Sequence, residues 1–343
     1  MRIPGVICFF LGFGLAFASA PASRAQGALM LQDANSLAEV FSPVGHESVY
    51  FARICAASLT KLRRCAPDEL GVVIARYRGI AGYDWLAVPL LPYLYSVADA
   101  AAAPARIDYP TVHKLRLQYH DAHLMGLGNV PEGGQFQRGW NQLVGAAYDR
   151  RIYAFRFETT PEQDDAFIAR MNDAANRSHF NFLFRNCANF SATVLDFYFP
   201  GGDFRHRPVS DGGLVTPREV AYKLVRYARK HPELHLAVLE IPLIPGFHHR
   251  SRVGMTAAGS LIARGYVVPI GLLDPYAGGV IVADFLVWGR DPLPVKQAEV
   301  LTPWTMALLK SGIEIAGRSW DVAGPMRGSS ADDRRHRGER DSF

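Results

Sequence analysis

The chain has 343 residues, 49% of them hydrophobic and 20% charged, with a net charge of +5 and four cysteines. That length and apolar content suffice for one large domain or two smaller ones and exclude a disordered chain. The 31 glycines, 22 prolines and four cysteines exclude a collagen or a disulfide-knot scaffold.

Residues 1–25 carry Arg2, an apolar run from Val6 to Phe17 and a small-residue stretch ending in Ala25, which is the pattern of a secretory signal peptide. Pro21 disfavours cleavage after Ala20, so the mature chain is expected to begin at Gln26 and to be secreted or periplasmic. The run is shorter than the ~20 apolar residues of a membrane span, which weighs against an N-terminal anchor. Loss of Arg2 and Arg24 lowers the charge to +3, no footprint for nucleic acid. Export leaves Cys55, Cys65 and Cys187, an odd number for an oxidising compartment. Cys55 and Cys65 flank a polar, basic stretch able to loop back, so they are expected to pair and leave Cys187 as the free thiol.

Strands are expected at Glu47–Ile54, Gly71–Tyr77 and Tyr83–Val88, where aromatic and β-branched residues cluster. An Ala-rich stretch from Ala98 leads to a helix over Thr111–Leu127, and a shorter helix spans Trp140–Tyr148. Ile152–Glu158 alternates as a strand and runs into Thr160-Pro161-Glu162-Gln163, a capping box that opens a helix to about Ala175. From Cys187, apolar residues recur at helical spacing until Pro200-Gly201-Gly202. Thr216-Pro217 starts another helix reaching Lys230, and Leu236–Ile241 reads as a strand. Val267–Trp288 is apolar but holds Pro269, Asp274, Pro275 and Asp284. It reads as two short strands, the competing reading being a C-terminal membrane or interfacial anchor. The last residues, from about Gly324, are charged and nearly free of apolar side chains, the composition of a disordered tail.

Cys187 is the sharpest candidate for chemistry. A thiol at a helix N-terminus feels the positive end of the dipole, which favours the thiolate and rapid alkylation near neutral pH. A nucleophilic Cys needs a His within reach in space. Among the 11 histidines, His46 stands out because it opens a strand directly after Gly45, and His179 is the second choice. His120 and His123 share a helical spacing but have no third ligand, so no metal site is assigned. A serine hydrolase lacks the Gly-x-Ser-x-Gly elbow.

The order of these features resembles the circularly permuted papain-like superfamily, with its LRAT-like and NlpC-related members. Gly45-His46-Glu47-Ser48-Val49-Tyr50-Phe51 looks like the His strand, and Arg185-Asn186-Cys187-Ala188-Asn189-Phe190 looks like the Cys helix. The resemblance implies an α+β fold, an antiparallel sheet packed on helices, in which residues 26–230 hold the core with a helical insertion at about 98–150. Residues 231–323 would form a strand-containing extension, and 324–343 the tail. It also implies Cys187 as nucleophile, His46 as general base, Asn186 and His179 as candidates to line the site, and attack on an amide, ester or thioester. The third polar residue of the family has no match here. No cofactor is required. An envelope peptide or lipid is the expected substrate, with contact to a membrane surface, and oligomeric state is open. The alternative is a non-catalytic envelope binding or assembly module on the same shell.

Overall fold

The computed structural model describes residues 25–36, 41–42, 44–77, 80–127, 140–177, 179–181, 183–205, 214–246, 255–287 and 292–303. The expected cleavage segment up to residue 24 and the charged tail lie outside them. In chain order, strands β1 (Ala25–Gln32), β2 (Asn35–Ser36), β3 (Phe41–Ser42), β4 (His46–Phe51), β5 (Ile54–Ser58), β6 (Lys61–Arg64), β7 (Val72–Ala75) and β8 (Leu86–Pro89) come first. Helices α1 (Leu90–Tyr95), α2 (Tyr109–His123), α3 (Trp140–Leu143) and α4 (Ala146–Asp149) follow. The rest is β9 (Ile152–Thr159), α5 (Pro161–Asp173), α6 (Cys187–Tyr198), α7 (Pro217–Lys230), β10 (Ala237–Ile241), α8 (Ala257–Ala263), α9 (Val267–Leu273), α10 (Pro275–Val287) and β11 (Glu299–Val300).

The fold is α+β, built on a 7-stranded sheet in the order β11-β10-β9-β1-β4-β7-β8. Its pairs are antiparallel except β10 with β11. Side chains alternate across each strand, so β1 sends Ala28 and Met30 to one face and Leu29 and Leu31 to the other. The first face packs on α1, α2 and α4, and the second on α5, α6 and α7. Burial on both faces explains why β7 and β8 read as unbroken apolar runs. The strands β10 and β11 from the C-terminal third complete this same sheet at one edge.

Three helices are capped at their starts, α5 and α7 by residues the sequence marks for it. Thr160 and Gln163 form a capping box on α5, Asn186 and Asn189 form one on α6, and Thr216 caps α7. Gly71 lies at φ +83° with its Cα so close to β4 that a Cβ would stand 2.0 Å from the Phe51 carbonyl oxygen, so this position admits no side chain. Beside the main sheet, β5 and β6 pair as a hairpin cross-linked by Cys55–Cys65.

Three expectations change. The helix expected over Trp140–Tyr148 divides at Gly145, φ 72°, into α3 and α4. The strand expected over Glu47–Ile54 breaks at Ala52-Arg53 into β4 and β5. The two strands expected within Val267–Trp288 are instead the helices α9 and α10. Asp274 supplies the turn by accepting hydrogen bonds from the N–H groups of Tyr276 and Ala277, and Pro275 opens α10 as its first residue. Among the described residues, no helix is long and apolar enough to cross a membrane.

Candidate functional site

The strand β4 starts at His46, and Gly45 before it has φ 94°, a conformation glycine adopts without strain. Along β4 the alternation is visible in its contacts: Ser48 meets the Tyr93 hydroxyl of α1 at 2.8 Å, whereas Glu47 lies beside Ser191 of α6. The ladder between β4 and β7 covers Val49–Phe51 opposite Val72–Ile74 and does not extend to His46. The first turn of α6 enters the space this leaves. Arg76, just past β7, donates to the Asn186 carbonyl at 3.4 Å, and Tyr77 packs its ring on His46 with centroids 5.5 Å apart.

Cys187 is the first residue of α6, free and buried. The backbone N–H groups of Glu47, Ala188 and Cys187 itself point at its sulfur and favour the thiolate. Burial outweighs them and, with the charge of Glu47 adding, pushes the thiol up to about 12. This overturns the expectation of a thiolate lowered by the helix dipole: the dipole acts through the same few N–H groups, and desolvation of the charged form is the larger effect. Burial likewise drives His46 down to about 3, with the Arg150 guanidinium pushing the same way, so the ring is neutral.

The surroundings are polar and closed. Gln32, His46, Glu47, Ser48, Arg150 and Ser191 are all buried, and Gln32 donates to the Tyr93 hydroxyl. Arg150, 1% exposed, exerts its charge on His46, Tyr93 and Cys187. Burial lowers its own pKa, while Asp149, Tyr93, Cys187 and Asp33 hold it up. Burial raises the Glu47 carboxyl well above its usual range, and the charge of Glu219 adds to the effect. Among the described residues, Nε2 of His46, the hydroxyl of Tyr77 and one terminal nitrogen of Arg150 have no hydrogen-bond partner, and the buried Glu47 carboxyl has the Ser191 hydroxyl beside it. Each such atom costs about 1–3 kcal/mol, and folded chains concentrate such costs at sites that serve something other than stability.

The structure therefore brings His46 and Cys187 to one end of the sheet, joined through the Glu47 amide and the shared neighbours Tyr77 and Arg150. No hydrogen bond links His46 Nε2 to the sulfur. Asn186 is the N-cap of α6 and donates to the Val215 carbonyl at 3.2 Å, so it fixes the helix start that carries Cys187. His179 is exposed, apart from the buried cluster. His120 is buried against Asp121, and the ring of His123 lies on Tyr119. The grouping of metal-ligand side chains found among the described residues, Cys55, Cys65 and Glu69, has both sulfurs in the disulfide. A cavity of about 280 Å³ opens at the other end of β1 and β4, between Gln26, Tyr50 and Arg156, away from Cys187.

Sequence reasoning missed Gln32, Glu47, Tyr77, Tyr93, Arg150 and Ser191. A signal existed for Glu47, an acid at the start of a strand that turns apolar after Ser48, and for Arg150, two residues ahead of the clearest alternating strand.

No family model and no curated protein matches this chain. Among solved structures, the type VI secretion system effector TseH is similar at 13% identity and a TM-score of 0.28, covering 64% of this chain and 94% of that one. A likeness of that size carries no argument about fold or chemistry.

Proposed function

We propose that this chain is an exported thiol-dependent hydrolase or acyltransferase of the permuted papain-like kind, acting on an amide, ester or thioester of an envelope peptide, lipid or lipoprotein. One observation carries the reading. The unpaired thiol heads α6, where hydrogen bonding from backbone N–H groups favours its thiolate, and one of these, the Glu47 amide, follows directly on a buried histidine whose Nε2 has no partner among the described residues. The signal-peptide pattern and the Cys55–Cys65 disulfide support an oxidising compartment outside the cytosol.

In this mechanism the Cys187 thiol proton passes to His46 Nε2 as the sulfur attacks the acyl carbon. The N–H groups around the sulfur stabilise the developing oxyanion. The tetrahedral adduct expels the amine, alcohol or thiol, which takes the proton from His46 and leaves an acyl thioester on Cys187. Water or an acceptor amine, deprotonated by His46, then attacks the thioester and restores the thiol. The positive charge of Arg150 favours the thiolate and disfavours imidazolium, so it assists attack and speeds return of the proton to the leaving group. Since burial keeps both partners neutral at rest, proton transfer belongs to the substrate-bound state.

The raised thiol favours a second reading, a non-catalytic envelope module on the same shell. Intact-mass analysis of the purified chain after incubation with diacyl phospholipid or with acylated lipopeptide separates the two. The catalytic reading expects an acyl adduct that Cys187→Ala abolishes and that His46→Gln slows by about 10²–10⁴-fold. Turnover retained in Cys187→Ala overturns the role of Cys187, and neither adduct nor turnover with acyl and peptidoglycan-peptide substrates assigns the binding module.

A further inference from the structure

The pair α9–α10 is packed the opposite way from a soluble helical hairpin. Its large apolar side chains face outward: Leu272 is 81% exposed, Leu273 88% and Tyr276 82%, with Val268, Val280, Leu286 and Val287 also exposed. On α10 the exposed positions 276, 280, 283 and 287 recur at helical spacing, and on α9 so do 268 and 272, so each helix presents a continuous outer face. Where the two helices cross, the residues are small. Gly271 and Gly278 meet where the helices cross, so closely that a Cβ on Gly278 would lie 2.6 Å from the Gly271 Cα. Small residues at the crossing and large apolar ones outside is how helices pack when their solvent is hydrocarbon. Monomeric proteins in water rarely expose contiguous apolar patches this dense.

Charge narrows the occupant. From Gly265 to Gly289 the charged residues are Asp274 and Asp284; Arg250, Arg252 and Arg264 precede this stretch, and Arg290 and Lys296 follow it, with Asp291 the acid among them. An apolar stretch flanked in the sequence by cations complements a bilayer with anionic headgroups. Length and charge also fix the depth. The 13 residues of α10 reach about 20 Å, short of the ~30 Å hydrocarbon core. Asp274 is exposed at the turn between the helices, which disfavours tip-first entry.

We propose that α9 and α10 form an interfacial anchor that lies in the plane of one leaflet of an anionic membrane, with the outer face of the hairpin among the acyl chains. The inference does not rest on the Cys187 chemistry, and either can fail without the other. It is tested with the full chain by flotation on vesicles of phosphatidylcholine with and without phosphatidylglycerol. The wild-type chain should float, more strongly with phosphatidylglycerol, and the triple variant Leu272→Ser/Leu273→Ser/Tyr276→Ser should lose at least about tenfold in partition, since three exposed apolar side chains no longer leave water. Because those side chains touch little of the protein, thermal unfolding should be unchanged; Val268→Ser/Val287→Ser supplies a second, independent pair. A wild-type chain that stays in the soluble fraction, or a triple variant that floats as well as wild type, overturns the anchor. So does lipid-free self-association by sedimentation that the triple variant abolishes without any vesicle binding, which would assign the face to a second copy. Equal flotation on both vesicles would overturn the anionic preference.

Discussion

The end of the sheet around Cys187 and the hairpin α9–α10 break the usual distribution of residues in opposite directions. At the first, a cysteine, a histidine, a glutamate and an arginine are enclosed with several polar atoms unpartnered. At the second, leucines, valines and a tyrosine stand in the open while glycines fill the contact. The first inversion costs stability through desolvation, which appears as shifted proton affinities. The second costs little in the folded chain itself, because exposed apolar groups lose nothing relative to the unfolded state. Perturbations should therefore act on folding and proton affinity at the polar end, and on partition at the hairpin.

The largest expected effect is at His46. Its native pKa near 3 lies below the ordinary value of 6.5, so below pH 6.5 the unfolded chain takes up a proton that the native ring refuses. This contribution to stability is complete above pH 6.5 and is lost as pH falls toward 3, by about 5 kcal/mol in full. His46→Gln should remove that part of the acid slope, read as urea midpoints of wild type and variant across the acid range. Equal slopes would mean that the ring is hydrated and the polar end is not closed.

Next is the thiol itself. With Cys187 raised from 9 to about 12, the native thiolate is about 10³-fold scarcer than in the unfolded chain at neutral pH. Iodoacetamide should alkylate the native protein more slowly by at least that factor, with a rate still climbing tenfold per pH unit beyond pH 9. Faster labelling in the native than in the unfolded chain would restore the helix-dipole expectation and place the resting site in an open state.

Much of this architecture is written in local pattern. The capping residues Thr160 and Thr216 mark the starts of α5 and α7, the helical spacing from Cys187 marks α6, and the strand beginning at His46 follows from Gly45 and the apolar alternation after it. The pairing of Cys55 with Cys65 follows from their closeness in the sequence and the polar, basic stretch between them. What local pattern hides depends on the third dimension. The strand β1 is obscured because Ala25–Gln32 directly follows the leader-like segment, yet it runs between β4 and β9. Arg150 stands between α4 and β9 next to Arg151, and nothing in that pair shows that Arg150 is the buried one. The sign of the Cys187 shift is not legible either, since a helix start announces donors but says nothing of how far the site is sealed from water. In α9 and α10 the apolar run fits strands as well as helices; only the Gly271–Gly278 approach distinguishes them.

The disulfide offers a smaller effect away from both regions. Cys55 and Cys65 are separated by 10 residues, and a closed loop of that size is worth about 3 kcal/mol through the entropy of the unfolded chain. Cys55→Ser/Cys65→Ser should lose about that much by urea unfolding and leave the alkylation rate of Cys187 unchanged, because β5 and β6 form their own two-stranded unit. A change in the Cys187 rate would mean that the polar end is held closed partly by this hairpin.

The smallest expected effect sharpens the comparison most. A buried leucine in this sheet would cost about 2–5 kcal/mol on truncation, through lost transfer energy and a cavity. Leu272 and Leu273 have neither to lose, being 81% and 88% exposed, so Leu272→Ser and Leu273→Ser should change unfolding stability by no more than about 0.5 kcal/mol. Urea unfolding in lipid-free buffer measures this directly. A loss of 2 kcal/mol or more would mean that both side chains are covered in solution, by a second copy of the chain or by another part of it. The hairpin would then be ordinary core, and the contrast with the polar end would reduce to a single inversion.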